Sequence, residues 1–228
     1  MDHTVVIREN WLTRKPDPNA IYSTYLLGLI LFTAGFFSHW LSATPEAVFT
    51  KQEYWRAWTA LFAHADLGHL LSNSMILLPL SVLLTGYFGY VFFPLTGVLM
   101  GGLTNFLVLK TLPAQTSLLG ISGVVNWMGA AWLTLFLLID RRKSFRRRFA
   151  VAVFLTIMLF VPETFRPEVS YLSHFIGFAL GILSALLYYF INSAKIQAAE
   201  IKEIIYDDND LDQQRLLPAG GGYLVEPR

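Results

Sequence analysis

The sequence predicts an all-α, polytopic membrane protein built as a bundle of six transmembrane helices. Three observations predict it. Of 228 residues, 54% are hydrophobic and only 14% are charged, against about 25% charged in soluble domains. Mean hydropathy is +0.49. Long stretches carry almost no charge; between Ala57 and Ile139 only Asp66 and Lys110 are ionic. This composition excludes a soluble enzyme and a disordered chain. A net charge of +1 gives no electrostatic basis for a nucleic-acid partner. With no cysteine, disulfide scaffolds, zinc–thiolate sites, iron–sulfur clusters and thiol nucleophiles are all excluded.

The elements follow in order. Met1–Ala20 is a polar tail with Arg8, Arg14 and Lys15; its acidic residues Asp2, Glu9 and Asp17 argue against a transit peptide. Ile21–Leu41 is uncharged, too long for a signal-peptide core and long enough to span. Gly86 and Gly89 mark one turn, and the segment from Lys110 to Thr116 marks a break. These divide the next stretch into spans Leu67–Gly86, Val91–Leu109 and Ser117–Ile139. Pro79 and Pro94 lie in or near these helices, which membranes tolerate. Asp140–Arg148 holds six Lys and Arg residues and reads as a cytoplasmic loop. The fifth run, Phe149–Val161, covers only about 20 Å at 1.5 Å per residue, against a hydrocarbon core of roughly 30 Å. Arg147 and Arg148 snorkel, or the bilayer thins locally, or the segment is re-entrant. Tyr171–Asn192 is the sixth run. The domain reading is therefore a tail over 1–20, a membrane domain over 21–192, and a partly disordered tail over 193–228, where acidic and Gly-rich stretches lie.

With the N-terminus inside, thirteen of the 17 Lys and Arg residues fall on the inner side. That bias puts both termini in the cytoplasm. A compact six-span chain without a transit peptide fits a bacterial inner membrane.

Polar groups within a bilayer are costly and point to function. In this topology the second, fourth and sixth helices all start on the outer side. His69 and Asn73 lie four apart, on one face of the second. Ser122 starts the fourth, within Gly120-Ile-Ser-Gly123, and His174 lies in the first turn of the sixth. The topology was set without these residues, so their common depth argues for one site. His174, Gly177 and Gly181 share a face, and Gly177-x3-Gly181 lets a neighbouring backbone approach. Taken singly, a GxxxG is ordinary packing, a serine in a membrane helix usually bonds its own backbone, and a histidine is usually a satisfied core residue.

A serine hydroxyl becomes a nucleophile when a base takes its proton, and histidine is the usual base near neutrality. The oxyanion then needs donors; Asn73, His69 and the Ser122 backbone can supply them. Asp66 reads as the cap of the second helix rather than a third triad member. The set is a Ser–His dyad that calls for neither cofactor nor metal.

The ordered pattern resembles the rhomboid family of intramembrane serine proteases. It comprises Trp55-Arg56, His64-x4-His69-x3-Asn73, Gly120-Ile-Ser-Gly123 and His174-x2-Gly177-x3-Gly181, and covers roughly residues 50–190. The resemblance implies a rhomboid-like bundle that cleaves transmembrane protein substrates in the lipid bilayer, near the outer leaflet. It also implies Ser122 as nucleophile, His174 as base, and Asn73, His69 and His64 around the oxyanion, His64 alternatively being structural. Gly120, Gly123, Gly177 and Gly181 are supporting positions. The chain departs from the pattern at Asn126, where many members carry a tyrosine packed against the catalytic histidine. A catalytically silent member that binds membrane clients is the alternative, and a small transporter a more distant one. The aromatic first outer loop (Phe49, Tyr54, Trp55, Trp58, Phe62) suits a segment embedded at headgroup depth.

Overall fold

The computed structural model describes residues 3–160 and 170–206. Among the described residues the six longest helices are, in chain order, α1 (Ala20–Gly35), α2 (Leu67–Phe88), α3 (Gly97–Leu109), α4 (Ser122–Ile139), α5 (Phe145–Phe160) and α6 (Tyr171–Gln197). A helical segment kinked at Phe93, which is extended at φ −143°, ψ 134°, runs over Val91–Thr96 and leads into α3, so that Val91–Leu109 forms one span. Four spans among the described residues are long and apolar enough to cross a membrane: Leu67–Phe88, Val91–Leu109, Ser122–Ile139 and Tyr171–Gln197. The chain is an integral, multi-pass membrane protein. α1 is a shorter apolar helix of 16 residues.

Several boundaries move from their expected places, each for a local reason. The first run breaks after Gly35; Phe37 leaves helical geometry at φ −112°, ψ 16°, and Ser38–Leu41 form a separate turn. α2 runs through Gly86 to Phe88, and the turn comes at Gly89 (φ +85°) instead. α4 starts five residues later than expected, because Gly120 at φ +107° bends the chain just before it.

The fifth run is helical from Phe145, four residues earlier than expected; Val161 lies outside the described residues. Arg148 does not reach outward. It is buried, and its Nη1 donates to the Leu137 carbonyl of α4. The ends of the neighbouring helices show what α5 connects. α4 ends beside the N-terminal segment, where Asn10 Nδ2 donates to Asp140 at 2.8 Å, whereas α6 begins beside the start of α4. Asp140 and Ser170 therefore lie at opposite ends of the bundle.

A two-stranded antiparallel sheet joins the two tails. Strand β1 (His3–Glu9) pairs with β2 (Ile201–Tyr206), with Val5 opposite Ile204 and Ile7 opposite Lys202. Within the C-terminal tail, Ile201–Tyr206 is thus ordered as strand. Both tails lie at the same end of the bundle, as an even number of crossings requires. Fixing a chain of this length costs entropy that burial must offset, and the core does so with large apolar side chains from several helices. Leu77 and Leu84 of α2 and Trp127, Met128 and Leu135 of α4 are all fully buried. Trp127 also donates through Nε1 to Ser184 Oγ of α6 at 3.1 Å.

The α1–α2 connection folds onto the bundle. Arg56 holds it: Nη1 donates to the carbonyls of Trp40 (2.7 Å) and Ser42 (3.1 Å), Nε pairs with Glu53, and the guanidinium sits 4.6 Å over the Trp55 ring. Asn105 of α3 donates to the Ala57 carbonyl at 2.9 Å. Of the five aromatic residues expected at headgroup depth, only Tyr54 and Trp55 are exposed; Phe49, Trp58 and Phe62 pack inward.

Candidate active site

The site is built where α4 and α6 start. The segment before α4 is pinned to the α1–α2 connection: Leu118 and Ala43 exchange backbone hydrogen bonds of 2.7 and 3.0 Å, and Gly120 N–H donates to the Ala60 carbonyl at 2.9 Å. Gly120 then takes φ +107°, a conformation that favours glycine. Space demands glycine there as well, since a Cβ would lie 2.8 Å from His69 Cε1 and 3.1 Å from its Nε2. The His69 ring therefore rests against the backbone two residues before Ser122.

Ser122 is the first residue of α4, so its backbone N–H is one of those a helix leaves without an intrahelical partner. The positive end of the helix dipole favours negative charge there. On the facing helix, Ser170 caps α6, accepting from Ser173 N–H at 3.3 Å, and His174 N–H donates to the Ser170 carbonyl at 3.2 Å. Contact between the two helices is backbone on backbone. A Cβ on Gly177 would lie 2.2 Å from the Gly123 carbonyl oxygen, and one on Gly181 2.3 Å from that of Trp127. The expected glycine face of α6 is thus seated on α4, one turn from His174 and beside Ser122. Both Ser122 and His174 are half-buried.

The other expected site residues divide. Asn73 is buried on α2, and its Nδ2 donates to the His69 carbonyl at 3.1 Å. That uses one of its two N–H groups. Asn126 is also buried, and its Nδ2 donates to the Ser122 carbonyl at 3.0 Å. Asp66 caps α2 as expected, accepting from His69 N–H at 2.7 Å.

His64 is buried just before α2. Its backbone N–H donates to Ser38 Oγ (2.8 Å), its ring meets that of His69 edge-on at 5.3 Å, and its Nδ1 lies 3.2 Å from the Phe62 carbonyl. A carbonyl only accepts, so Nδ1 is the donor. Burial, with the neighbouring His69 second, pushes the His64 pKa down to about 4, so the ring is neutral near pH 7. His64 supports His69 from behind.

Sequence reasoning missed three contributors. Thr104 of α3 backs Gly123, its Cγ2 3.2 Å from where a Cβ would be. Ser38 holds His64. Ser173, next to His174, is a buried hydroxyl. Thr104 and Ser38 act across a long sequence separation, and no local spacing marks them.

The fold and the cluster define a multi-pass helical membrane protein with serine, histidine and asparagine side chains gathered at one end of the bundle. The model of the Rhomboid domain family matches residues 51–190; the chain belongs to the rhomboid family. No curated protein matches the chain. The family acts on transmembrane substrates and includes intramembrane serine proteases, alongside inactive members.

Proposed function

We propose that the chain is an intramembrane serine endopeptidase with a Ser122–His174 dyad. The observation that carries this reading is the seating of α6 on α4, with Gly177 against the Gly123 carbonyl. It sets the first turn of one helix, bearing His174, beside the first turn of the other, bearing Ser122. The His174 imidazole takes the Ser122 hydroxyl proton as Oγ bonds to the scissile carbonyl carbon. The oxyanion draws on the Ser122 backbone N–H, the second N–H of Asn73 and the His69 ring. As the C–N bond breaks, the imidazolium returns the proton to the leaving amine. Water, activated by the same imidazole, then hydrolyses the acyl-enzyme.

The membrane domain over 21–192 carries this chemistry, and the flanking segments 1–20 and 193–228 are cytoplasmic. Both tails share one end of the bundle, and the basic residues concentrate there, which supports that end as cytoplasmic. The site then faces the outer leaflet of a bacterial inner membrane. Helical substrate segments that unwind readily expose their carbonyls to Ser122.

A serine-directed fluorophosphonate tests the assignment. Wild type is expected to be labelled, and Ser122→Ala to be neither labelled nor active while remaining folded. Residual cleavage by Ser122→Ala above about one percent of wild type would remove Ser122 as nucleophile. A wild type that resists labelling would favour the silent client-binding alternative.

A further inference from the structure

The α4–α5 turn and the first turn of α5 together hold six Lys and Arg residues, and the fold uses three of them. Arg141 holds Glu200 at 2.9 and 2.7 Å, and Arg142 holds Asp140 at 2.7 and 3.1 Å. Arg148 is buried, with Nη1 on the Leu137 carbonyl. Lys143, Arg146 and Arg147 are left over. All three are exposed, and none has an ion-pair partner among the described residues. Like charges this close in the chain repel one another, so the cluster favours an anion shared between them.

The membrane boundary runs through this cluster. α4 is long and apolar enough to cross a membrane and ends at Ile139. α5 carries no charge from Phe149 to Phe160. The bond from Arg148, its last charge before that run, to Leu137 in the last turn of α4 sets both changes from apolar to charged at one level. Exposed cations are costly in hydrocarbon, and exposed apolar side chains are costly in water. Lys143, Arg146 and Arg147 therefore stand in the headgroup layer, and the apolar part of α5 stands in the hydrocarbon.

Helical spacing places an apolar strip below each arginine. Arg146, Phe149 and Val153 (i, i+3, i+7) share one strip of α5, and Arg147, Val151 and Phe154 (i, i+4, i+7) share the next. The four apolar side chains are all exposed, from 40% at Val153 to 60% at Phe154, whereas Arg148 and Ala152 form the buried face. A fitting occupant brings negative charge to the three cations and apolar chains that continue along the helix. A free phosphate or an acidic peptide supplies the charge alone; a phospholipid of net negative charge supplies both.

We propose that the start of α5 is a binding site for an anionic phospholipid, its phosphate held by Lys143, Arg146 and Arg147 and its acyl chains lying along the two strips. The site requires neither Ser122 nor His174, so it stands apart from proteolysis.

The test is lipid retention on the purified full-length chain, read by native mass spectrometry after exposure to equimolar phosphatidylglycerol and phosphatidylcholine with identical acyl chains. Both carry a phosphate, but the choline ammonium cancels its charge. Wild type is expected to retain phosphatidylglycerol at least tenfold over phosphatidylcholine. Arg146→Gln/Arg147→Gln removes two charges with residues of similar helix propensity, and is expected to lose most of that preference. Arg14→Gln/Lys15→Gln removes two exposed charges from the N-terminal segment, and is expected to keep it. Equal retention of the two lipids by wild type, or equal loss in the two double variants, would overturn the site. Displacement of the lipid from wild type by an equal concentration of glycerol phosphate, which has no acyl chains, would assign the cluster to a free phosphate and overturn it as well. A preference that emerges only after Asp207, Asp208, Asp210 and Asp212 are changed to Asn would make the acidic tail the native partner, with the same consequence.

Discussion

Two asparagines flank the candidate nucleophile, and each is half engaged. Asn73 spends one N–H on the His69 carbonyl and has a second to offer an oxyanion. Asn73→Ala is expected to lower kcat by about 10- to 10³-fold with little change in KM, because such a donor acts mainly in the transition state. The loss should be smaller than for Ser122→Ala. Weakened KM with unchanged kcat would instead make Asn73 a substrate contact. Asn126 donates to the Ser122 carbonyl, so it steadies the turn that carries the nucleophile, at the position where many family members brace histidine with a tyrosine ring. Asn126→Tyr is expected to preserve or raise turnover while overpacking costs about 1–3 kcal/mol of stability. Activity and thermal unfolding must be read together. A stable variant with sharply reduced turnover would show that the bond to Ser122 matters more than a brace. The serine, the histidines and Asn73 were legible in the sequence because their ordered spacing is specific. The direction of Asn126's bond was not, since an amide four residues from the serine can face its own backbone or a neighbouring helix.

At the scale of elements, the α4–α6 contact decides whether a dyad can exist. Gly177 and Gly181 have no space for a methyl group, since a Cβ on either would stand within 2.3 Å of a carbonyl oxygen of α4. Gly177→Ala should therefore push α6 off α4 and lower both turnover, by at least about tenfold, and melting temperature. Gly28→Ala on α1 is the control: its Cβ would meet Leu78 Cδ2 at 3.5 Å, ordinary contact, and both quantities should hold. Equal behaviour of the two variants would separate the site from this helix contact. The existence of the spans was legible from long apolar runs, and the glycine face from its spacing. The ends were less so. Hydropathy does not register that Phe37 breaks the first helix or that Gly120 turns left-handed to start α4 at the serine itself, because both depend on what the backbone packs against.

The whole molecule is closed at the end opposite the site by contacts that hydropathy does not encode. β1 and β2 pair residues nearly the whole chain apart. Asn10 is fully buried and reaches Asp140, Arg141 holds Glu200 through two hydrogen bonds of 2.9 and 2.7 Å, and Trp11 Nε1 donates to the Tyr87 carbonyl at 2.8 Å. The polar tails looked like solvated ends because their partners are far away in sequence. Asp140 is the centre of this cap, bonded by Asn10 and by Arg142 at 2.7 and 3.1 Å. Burial raises its pKa, but the hydrogen bonds from Arg142 and Asn10 outweigh that and hold the carboxyl below its ordinary value. A depressed carboxylate pKa contributes stability that is present above the unfolded value, about 3.9, and is lost as pH falls through the folded value. Asp140→Asn keeps the shape and removes the charge. With Arg142 partly exposed, screening limits the loss to about 1–2 kcal/mol at pH 7. The gap between variant and wild type should close as pH drops below the carboxylate range, where wild-type Asp140 is itself protonated. His64 titrates in acid as well, but it is the same in both proteins and cancels from the difference. Thermal unfolding of both chains in detergent across pH 3–8 measures this. A gap that stays constant with pH would show that Asp140 holds the tails by shape and hydrogen bonding alone, without its charge.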